Sequence, residues 1–205
     1  MNFLRSREWL QWVICIFIAI LLALLIRYFI GTPTVVKSVS MNPTLVEGER
    51  LLLNRMAITT HQVPKRGDII TFESPDKNSS SLTATYHHAP TNLFSQFFYY
   101  VLDMNKTSYI KRVIALPGDH VVIKEGKVFV NEEELQEEYL PEGTLTQPQN
   151  SILTDFVVPE GTVFAMGDNR EFSKDCRKFG CIPFEKIESI VWIRFWPFSK
   201  FGIID

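Results

Sequence analysis

The sequence predicts a mainly β protein that follows one N-terminal transmembrane helix. Two observations carry this prediction. Residues 9–30, WLQWVICIFIAILLALLIRYFI, form an apolar run of 22 residues in which Arg27 is the only charge. Beyond it, apolar stretches of strand length alternate with turns rich in Gly, Pro, Asn and Asp, a pattern typical of all-β domains. The 205 residues, 46% of them apolar, suffice for one domain with a real core.

The apolar run is long enough to cross a bilayer. At about 1.5 Å per residue, a helix of this length spans a hydrocarbon core of roughly 30 Å. A cleaved signal peptide is the alternative, but the run exceeds the apolar region of a signal peptide and no small-x-small cleavage site follows it. We therefore expect an uncleaved membrane anchor.

The anchor divides the chain into three parts. Residues 1–8 are predicted to be a short cytoplasmic N-terminus, 9–30 the transmembrane helix and 31–205 an extracytoplasmic domain. Two arginines and the amino terminus precede the helix and two basic residues lie at or after its far end, so the positive-inside rule gives this orientation only a small preference. A plasma-membrane location with a single pass follows from this reading.

Two segments interrupt the predicted strands. Residues 76–108 form an insertion whose centre, LFSQFFYYVLDM, has apolar side chains at helical spacing and predicts a packed amphipathic helix. A membrane-surface helix is the alternative, which the lack of a Lys/Arg-rich polar face disfavours. Residues 131–150 are acidic and contain proline, and are predicted to be an exposed excursion.

Composition limits the cofactors and partners that we expect. The net charge of −2 gives no reason to expect a nucleic-acid partner. The four histidines are scattered and the cysteine spacing is not a zinc pattern, so we expect no metal and no other cofactor. Cys176 and Cys181 could pair in an oxidising exterior, but two free thiols are an equal alternative because sequence does not give the Cα separation.

Lys111 is the best candidate for a catalytic base. In the absence of a histidine base, a serine nucleophile can use a lysine whose pKa is lowered by desolvation. Lys111 lies in SYIKRVIALPGD with apolar residues on both faces of the predicted strand, which favours burial, although a lysine that reaches solvent at a sheet edge is the alternative. The S-x-x-K motif at Ser74–Lys77 is discounted, because it lies at a strand end with a proline inside and lacks its companion motifs.

A polar cluster, GDNREFSKDCRKFG (167–180), follows the predicted strand TVFAM. Such a run is most simply a turn with solvated charges. Read functionally, Gly167 permits close backbone approach, Ser173 can orient another polar side chain, and Asp175 with Arg177 can brace the loop.

Four blocks resemble a known family when taken in order behind the anchor. They are SVSMNPTL (38–45), GDIITF (67–72), YIKRVIALPGD (109–119) and GDNREFSKDCRKFG. The chain is similar in these blocks to the bacterial type I signal peptidases (leader peptidases, peptidase family S26), of the Gram-positive kind. Three departures stand out: Ala115 replaces a usual Gly, Glu171-Phe172 replaces Asp-Asn, and Cys176 replaces a Ser.

The resemblance implies the roles of four site residues. Ser40 would be the nucleophile and Lys111 the general base. Ser38 would offer its hydroxyl to the oxyanion together with the backbone N–H of Ser40. Ser173 would hold Lys111 by a hydrogen bond.

The resemblance also implies supporting residues and a fold. Asp175 and Arg177 would form an ion pair that supports the site, and Met41 and Pro43 would bind substrate. The fold would be an antiparallel β-sheet catalytic domain of signal-peptidase type around an extended apolar groove, with a smaller β excursion at about 120–160.

The implied activity is that of a membrane-bound serine endopeptidase. It would remove signal peptides from exported preproteins after Ala-x-Ala through an acyl-enzyme, with the preproteins and the lipid bilayer as partners and a monomer as the expected state. A self-cleaving Ser-Lys repressor is a rival that the anchor disfavours. A catalytically inert scaffold or chaperone for surface-protein assembly is another, disfavoured by the presence of both Ser40 and Lys111.

Overall fold

A computed structural model gives the structure of the protein, and it describes residues 2–29, 31–60, 62–75, 81–86, 92, 95, 99 and 107–204. Helix α1 spans Asn2–Phe29. Its segment Glu8–Arg27, with a mean hydropathy of 2.7 and none of its length buried in the protein, is long and apolar enough to cross a membrane. The helix expected at the centre of the 76–108 insertion falls almost entirely outside the described residues.

Twelve short strands make up most of the regular secondary structure in the rest of the described chain. In order they are β1 (Gly31–Val35), β2 (Arg50–Asn54), β3 (Ile69–Glu73), β4 (Ser108–Ala115), β5 (His120–Lys124), β6 (Lys127–Val130), β7 (Glu133–Glu134), β8 (Asp155–Val157), β9 (Thr162–Met166), β10 (Ile182–Pro183), β11 (Ile187–Trp196) and β12 (Gly202–Ile203). Two helices of a single turn, α2 (Met56–Thr59) and α3 (Cys176–Phe179), lie between strands.

The strands form two antiparallel sheets. The larger has the order β1-β2-β11-β3-β4-β9-β10, with β12 paired to β11, and the smaller has the order β7-β6-β5-β8. Every pairing between these strands is antiparallel. The predicted mainly β, antiparallel fold class with one N-terminal apolar helix is therefore confirmed.

Local turn chemistry matches the sequence at the two clearest turns. Glu125 and Gly126 join β5 to β6 with φ of 53° and 79°, as the primed turns of tight hairpins require. At the other turn, the Asp119 N–H donates to Leu116 O (3.0 Å) and Gly118 has φ 81°, the geometry expected for Pro-Gly at the centre of a type II turn.

The larger core lies between the two sheets. Side chains of β3, β4 and β9 pack against those of β5, β6 and β8, and the large buried members include Phe72, Ile114, Ile123, Phe156 and Phe164. A second cluster joins β2 and the first turn after β1, through Met41, Leu45 and Leu51 among others. Strand β4, paired to β3 on one side and β9 on the other, is thus held on both edges and carries Lys111 in its middle.

The prediction of an exposed excursion at residues 131–150 is wrong in part. Thr146 is only 1% exposed, and Glu137 and Tyr139 are half-buried. All three of these polar side chains accept hydrogen bonds from Arg170 of the 167–177 loop. Polar composition indicates solvent exposure only when the partners that satisfy the polar groups are water.

Candidate active site

Ser40 lies in a tight turn that begins a few residues after the end of the edge strand β1. The turn is a single 3-10 turn at Val39–Met41, and Ser40 is 7% exposed. The 167–177 loop holds the turn from the other side, because Asn169 N donates to Ser40 O (3.0 Å) and Asn169 Nδ2 donates to Val39 O (3.0 Å). The backbone that carries the Ser40 hydroxyl is therefore connected to β1 and hydrogen-bonded to the 167–177 loop.

Lys111 reaches Ser40 from the middle of β4. It is 3% exposed, so the predicted burial is confirmed. Its Nζ donates to Ser40 Oγ (2.7 Å) and to the carbonyl of the preceding residue, Ile110 (2.7 Å). The ammonium position is thus fixed by its own strand and directed at one hydroxyl.

Burial makes the Lys111 ammonium lose its proton more readily than an ordinary surface lysine does. Loss of solvent lowers its pKa from about 10.5 to about 8, although the carboxylates of Asp175 and Asp168 oppose the change. Desolvation disfavours the charged form of an amine. A neutral amine that can accept a proton is therefore available at mildly alkaline pH.

Ser38 is next to Ser40 in space as well as in sequence. Its Oγ lies 3.2 Å from Ser40 Oγ, and its side chain is exposed at the mouth of the cleft described below. A second hydroxyl is thus available at the point where a bound carbonyl would meet Ser40.

The expected hydrogen bond from Ser173 to Lys111 is not formed. Ser173 is 4% exposed, and its Oγ has no partner among the described residues, whereas Lys111 Nζ already bonds to two other oxygens. The hydroxyl instead packs on Gly167, where an added Cβ would lie 2.2 Å from Ser173 Oγ and 2.4 Å from Ser40 O. The close backbone approach expected of this glycine is confirmed.

Asp175 and Arg177 form a buried ion pair behind the site. Arg177 Nη2 lies 2.8 Å from Asp175 Oδ2 and its Nε donates to Oδ1 (2.9 Å). The same carboxylate accepts from Gly167 N (3.0 Å) and caps α3 through Arg177 N (3.1 Å). Burial alone would raise the pKa of Asp175, but the bonds to Arg177 and Gly167 hold it below its usual value.

Sequence reasoning missed a second buried ion pair. Arg112, the residue after Lys111, pairs with Asp168 through Nη2 and Oδ2 (3.0 Å), and both side chains are 3% exposed or less. Adjacent strand residues point to opposite faces, so Arg112 lies on the face of β4 away from Ser40. An arginine inside an apolar strand was the signal that could have indicated a buried acidic partner.

The two cysteines near the site, Cys176 and Cys181, are free thiols. Cys176 and Cys181 are both fully buried and are not bonded to each other. Cys176 Sγ accepts from Ala165 N (3.2 Å), so the sulfur occupies the place of a hydroxyl acceptor. Burial raises the pKa of Cys176 well above normal and that of Cys181 to about 12, so both stay protonated.

A cleft of about 730 Å³ opens beside the Ser40–Lys111 contact. Its lining includes Ser38, Ser40 and Lys111, residues of β1 and of the first half of β4, and the loop residues Phe172 and Lys174. Phe172, at one of the departures from the family pattern, is 67% exposed there. Its lining by residues of β1, β2 and β4 suits a peptide bound in extended form.

Met41 and Pro43 do not reach this cleft. Met41 is 0% exposed because it fills the second core cluster. Pro43 is exposed but is not part of the cleft lining. The assignment of these two residues to substrate binding is therefore not supported. Among the residues that the structure describes, no three His, Cys, Asp or Glu side chains are placed to hold a metal ion.

Comparison with known proteins places these features in a family. The family model described as signal peptidase, peptidase S26, matches residues 9–196. The chain is 38% identical over 185 residues to a probable signal peptidase I-1 of Synechocystis sp., which covers 90% of the chain and 81% of that protein. It is 33% identical over 209 residues to signal peptidase IB of Staphylococcus aureus, over 96% of the chain and 94% of that protein.

A solved structure is also similar in part. A crystal structure of a signal peptidase I from Enterococcus faecalis is 26% identical, covers 62% of the chain and 96% of the solved chain, and superimposes with a TM-score of 0.40.

Proposed function

Because the chain belongs to the signal peptidase family, peptidase S26, and is a signal peptidase I-type serine endopeptidase, we propose that Ser40 and Lys111 are its catalytic dyad. The observation that carries the proposal is the 2.7 Å contact between Lys111 Nζ and Ser40 Oγ. The lowered pKa of Lys111, about 8, supports a base rather than a permanent cation.

The contact accounts for attack by Ser40. When Lys111 is neutral, the Ser40 hydroxyl donates to Nζ and transfers its proton there as Oγ bonds to the peptide carbonyl carbon. The protonated Lys111 then gives a proton to the departing amine, the C–N bond breaks and an acyl-enzyme ester remains on Ser40. A water molecule that loses a proton to Lys111 hydrolyses the ester and restores Ser40.

Ser38 and the backbone of Ser40 are proposed to stabilise the oxyanion. The Ser38 hydroxyl lies 3.2 Å from Ser40 Oγ, which is within reach of an oxygen on the carbon that Oγ attacks. Each donor of this kind contributes roughly 10²–10³ to the rate.

The proposed substrates are exported preproteins, cleaved after Ala-x-Ala. Family membership supports signal-peptide cleavage, and signal peptides end in small residues just beyond their apolar segment. Residues of β1 and β4 line the same cleft as Ser40, which suits a chain that binds in extended form with its small residues at the serine.

Helix α1 is proposed to anchor the enzyme in the plasma membrane, with the domain from residue 31 outside. Ser40 lies ten residues beyond Ile30, at most about 33–36 Å at full extension. Thr32 Oγ1 donates to Arg27 O (3.1 Å), so the start of β1 is bonded to the end of the helix. The nucleophile and the scissile bond of a membrane-held preprotein are thereby kept at similar heights, which raises their effective concentration.

The decisive test is cleavage of a secretory precursor ending in Ala-x-Ala by the purified full-length chain in detergent. Ser40→Ala and Lys111→Met are each expected to abolish cleavage while the circular dichroism spectrum stays that of the wild type. The matched controls Ser151→Ala and Lys124→Met alter the same residue types at exposed positions and should cleave normally. Full cleavage by Ser40→Ala or Lys111→Met would overturn the dyad, and an inactive wild type would favour an inert scaffold.

A further inference from the structure

Residues 137–149 pack against the 167–177 loop. We call this segment the strap. It lies between β7 and the 3-10 turn at Ser151–Leu153. No member of the strap lines the cleft among the described residues, so its contacts with the loop are not part of the dyad described above.

The strap holds Arg170 by an ion pair that water hardly reaches. The side chains of Arg170 and Glu137 are 1% and 10% exposed. Arg170 Nη1 lies 2.9 Å from Glu137 Oε2, and Nη2 bonds to Oε1 of the same carboxylate. Such bidentate arginine–carboxylate pairs fix the relative orientation of the two side chains as well as the distance between them.

Further bonds from the strap reach the same loop. The hydroxyl of Thr146 accepts from Arg170 Nη1, and Gln147 O accepts from Arg177 Nη1 (3.3 Å). Gln149 Nε2 donates to Ser173 O (3.2 Å). The loop is therefore held along its length, at three residues of the loop, by one segment of chain.

The strap also contacts the strand that carries Lys111. The ring of Tyr139 lies 4.1 Å from Arg112 Cζ, a cation–π distance, and its hydroxyl donates to Glu137 Oε1 (2.6 Å). Arg112 follows Lys111 directly and pairs with Asp168 of the loop. Glu137 and Tyr139 thus connect the loop to Arg112, on the face of β4 that lies away from Ser40.

The loop connects the residues that the strap holds to the turn that carries Ser40. Arg170 Nε donates to Gly167 O (3.2 Å), and the intervening Asn169 binds Ser40 O and Val39 O. Asn169 is the residue next to Arg170, so a shift of Arg170 moves the two bonds that hold the turn of Ser40.

We propose that Glu137, supported by Thr146 and Tyr139, is a positioning residue for catalysis: through Arg170 and Arg112 the strap sets the position of Ser40 relative to Lys111. The inference depends on the proposed function, since it assigns the strap a part in that reaction. Displacement of reacting groups by about 1 Å can cost on the order of 10²-fold in rate, so a loosened strap reduces turnover without altering the cleft that binds the peptide.

The test compares Glu137→Gln with Glu138→Gln, which removes the same charge at the adjacent, exposed residue. A second pair compares Thr146→Val, which keeps the shape but loses the hydroxyl, with Thr146→Ser, which keeps it. Precursor cleavage by the full chain gives kcat and KM separately, and thermal unfolding shows that each variant is folded at the assay temperature. We expect Glu137→Gln to lower kcat by about 10- to 100-fold with KM within about twofold, Thr146→Val to lower kcat less, and Glu138→Gln and Thr146→Ser to match the wild type.

Three results would overturn the inference. One is a wild-type kcat in both Glu137→Gln and Thr146→Val. Another is a loss of rate that equals the unfolded fraction of the variant, which a purely structural role predicts. The third is a wild-type protein that does not cleave the precursor at all. That result would contradict the proposed function as well as the role of the strap. It differs from the first two results because every variant and every control would then be inactive.

Discussion

Lys111 Nζ and Ser40 Oγ lie 2.7 Å apart although 71 residues separate them in the chain. Strand β4 brings the lysine to the middle of a sheet, and the turn after β1 brings the serine to its face. The 167–177 loop binds both elements, through Asn169 on the turn and Asp168 on Arg112. The pair is therefore a product of tertiary structure.

Removal of the Ser38 hydroxyl should slow the reaction without weakening substrate binding. If that hydroxyl stabilises the oxyanion, Ser38→Ala lowers kcat by roughly 10²-fold and leaves KM nearly unchanged. Ser38→Thr, which retains a hydroxyl at an exposed position, should keep more of the activity. Steady-state kinetics on a precursor peptide measures both. A Ser38→Ala enzyme with wild-type kcat would exclude the role.

Gly167→Ala should disrupt the site directly. The new Cβ would lie 2.2 Å from Ser173 Oγ and 2.4 Å from Ser40 O, closer than any real contact, so the loop or the Ser40 turn must shift. We expect loss of cleavage by at least about 10²-fold and a lowered thermal midpoint. Gly202→Ala, which meets nothing within 4 Å, is the matched control. Equal activity in the two variants would contradict the packing described for Ser40.

Asp175→Asn should destabilise the fold. It leaves the buried guanidinium of Arg177 without a counter-charge, a change that typically costs about 3–5 kcal/mol, whereas Asp155→Asn alters an exposed carboxylate and should cost about 0.5 kcal/mol or less. Denaturant unfolding measures both. A difference smaller than about 1 kcal/mol between the two variants would argue against the buried pair.

The contribution of Asp175 to the free energy of unfolding should change with pH in one direction. Its folded pKa lies below the ordinary value of 3.8. The stabilisation is therefore fully present above that value and is lost as pH falls through the folded pKa. The difference in unfolding free energy between the wild type and Asp175→Asn should accordingly shrink only in acid, below about pH 4.

Cys176 and Cys181 should both react as thiols only after unfolding. They are buried and free, and their pKa values are raised by burial, so little thiolate is present and reagents cannot reach it. Alkylation followed by mass spectrometry should modify both residues in denaturant and neither in the native protein. Recovery of a 176–181 disulfide would contradict the structure.

Local patterns were sufficient to predict the alternation of short strands with turns and the burial of Lys111. Each depends on residues close in sequence: the Glu125-Gly126 turn on its neighbours, and Lys111 on the apolar run around it. The order of strands in the sheets was not predicted, since pairing is set by contacts between distant segments.

Other features of the site could not be predicted from composition. The composition of the strap predicts an acidic, exposed segment. Glu137 is nevertheless half-buried, because it pairs with Arg170, and nothing in the sequence of either segment indicates that the two meet. Ser173 was expected to bond to Lys111, but the lysine bonds to the carbonyl of Ile110, its own neighbour. Both outcomes depend on geometry of about an ångström, which a residue pattern does not specify.

The central claim is that a neutral Lys111 is the base for Ser40, and the pH dependence of kcat/KM tests it most directly. Because burial lowers the pKa of Lys111 to about 8, the competent neutral form predominates above that pH. The rate should fall about tenfold per pH unit below it, with the same midpoint in the control Lys124→Met. An acid limb centred near pH 8 is the predicted result. A flat profile from about pH 5 to 9, or a midpoint near the ordinary lysine value of about 10.4, would contradict it.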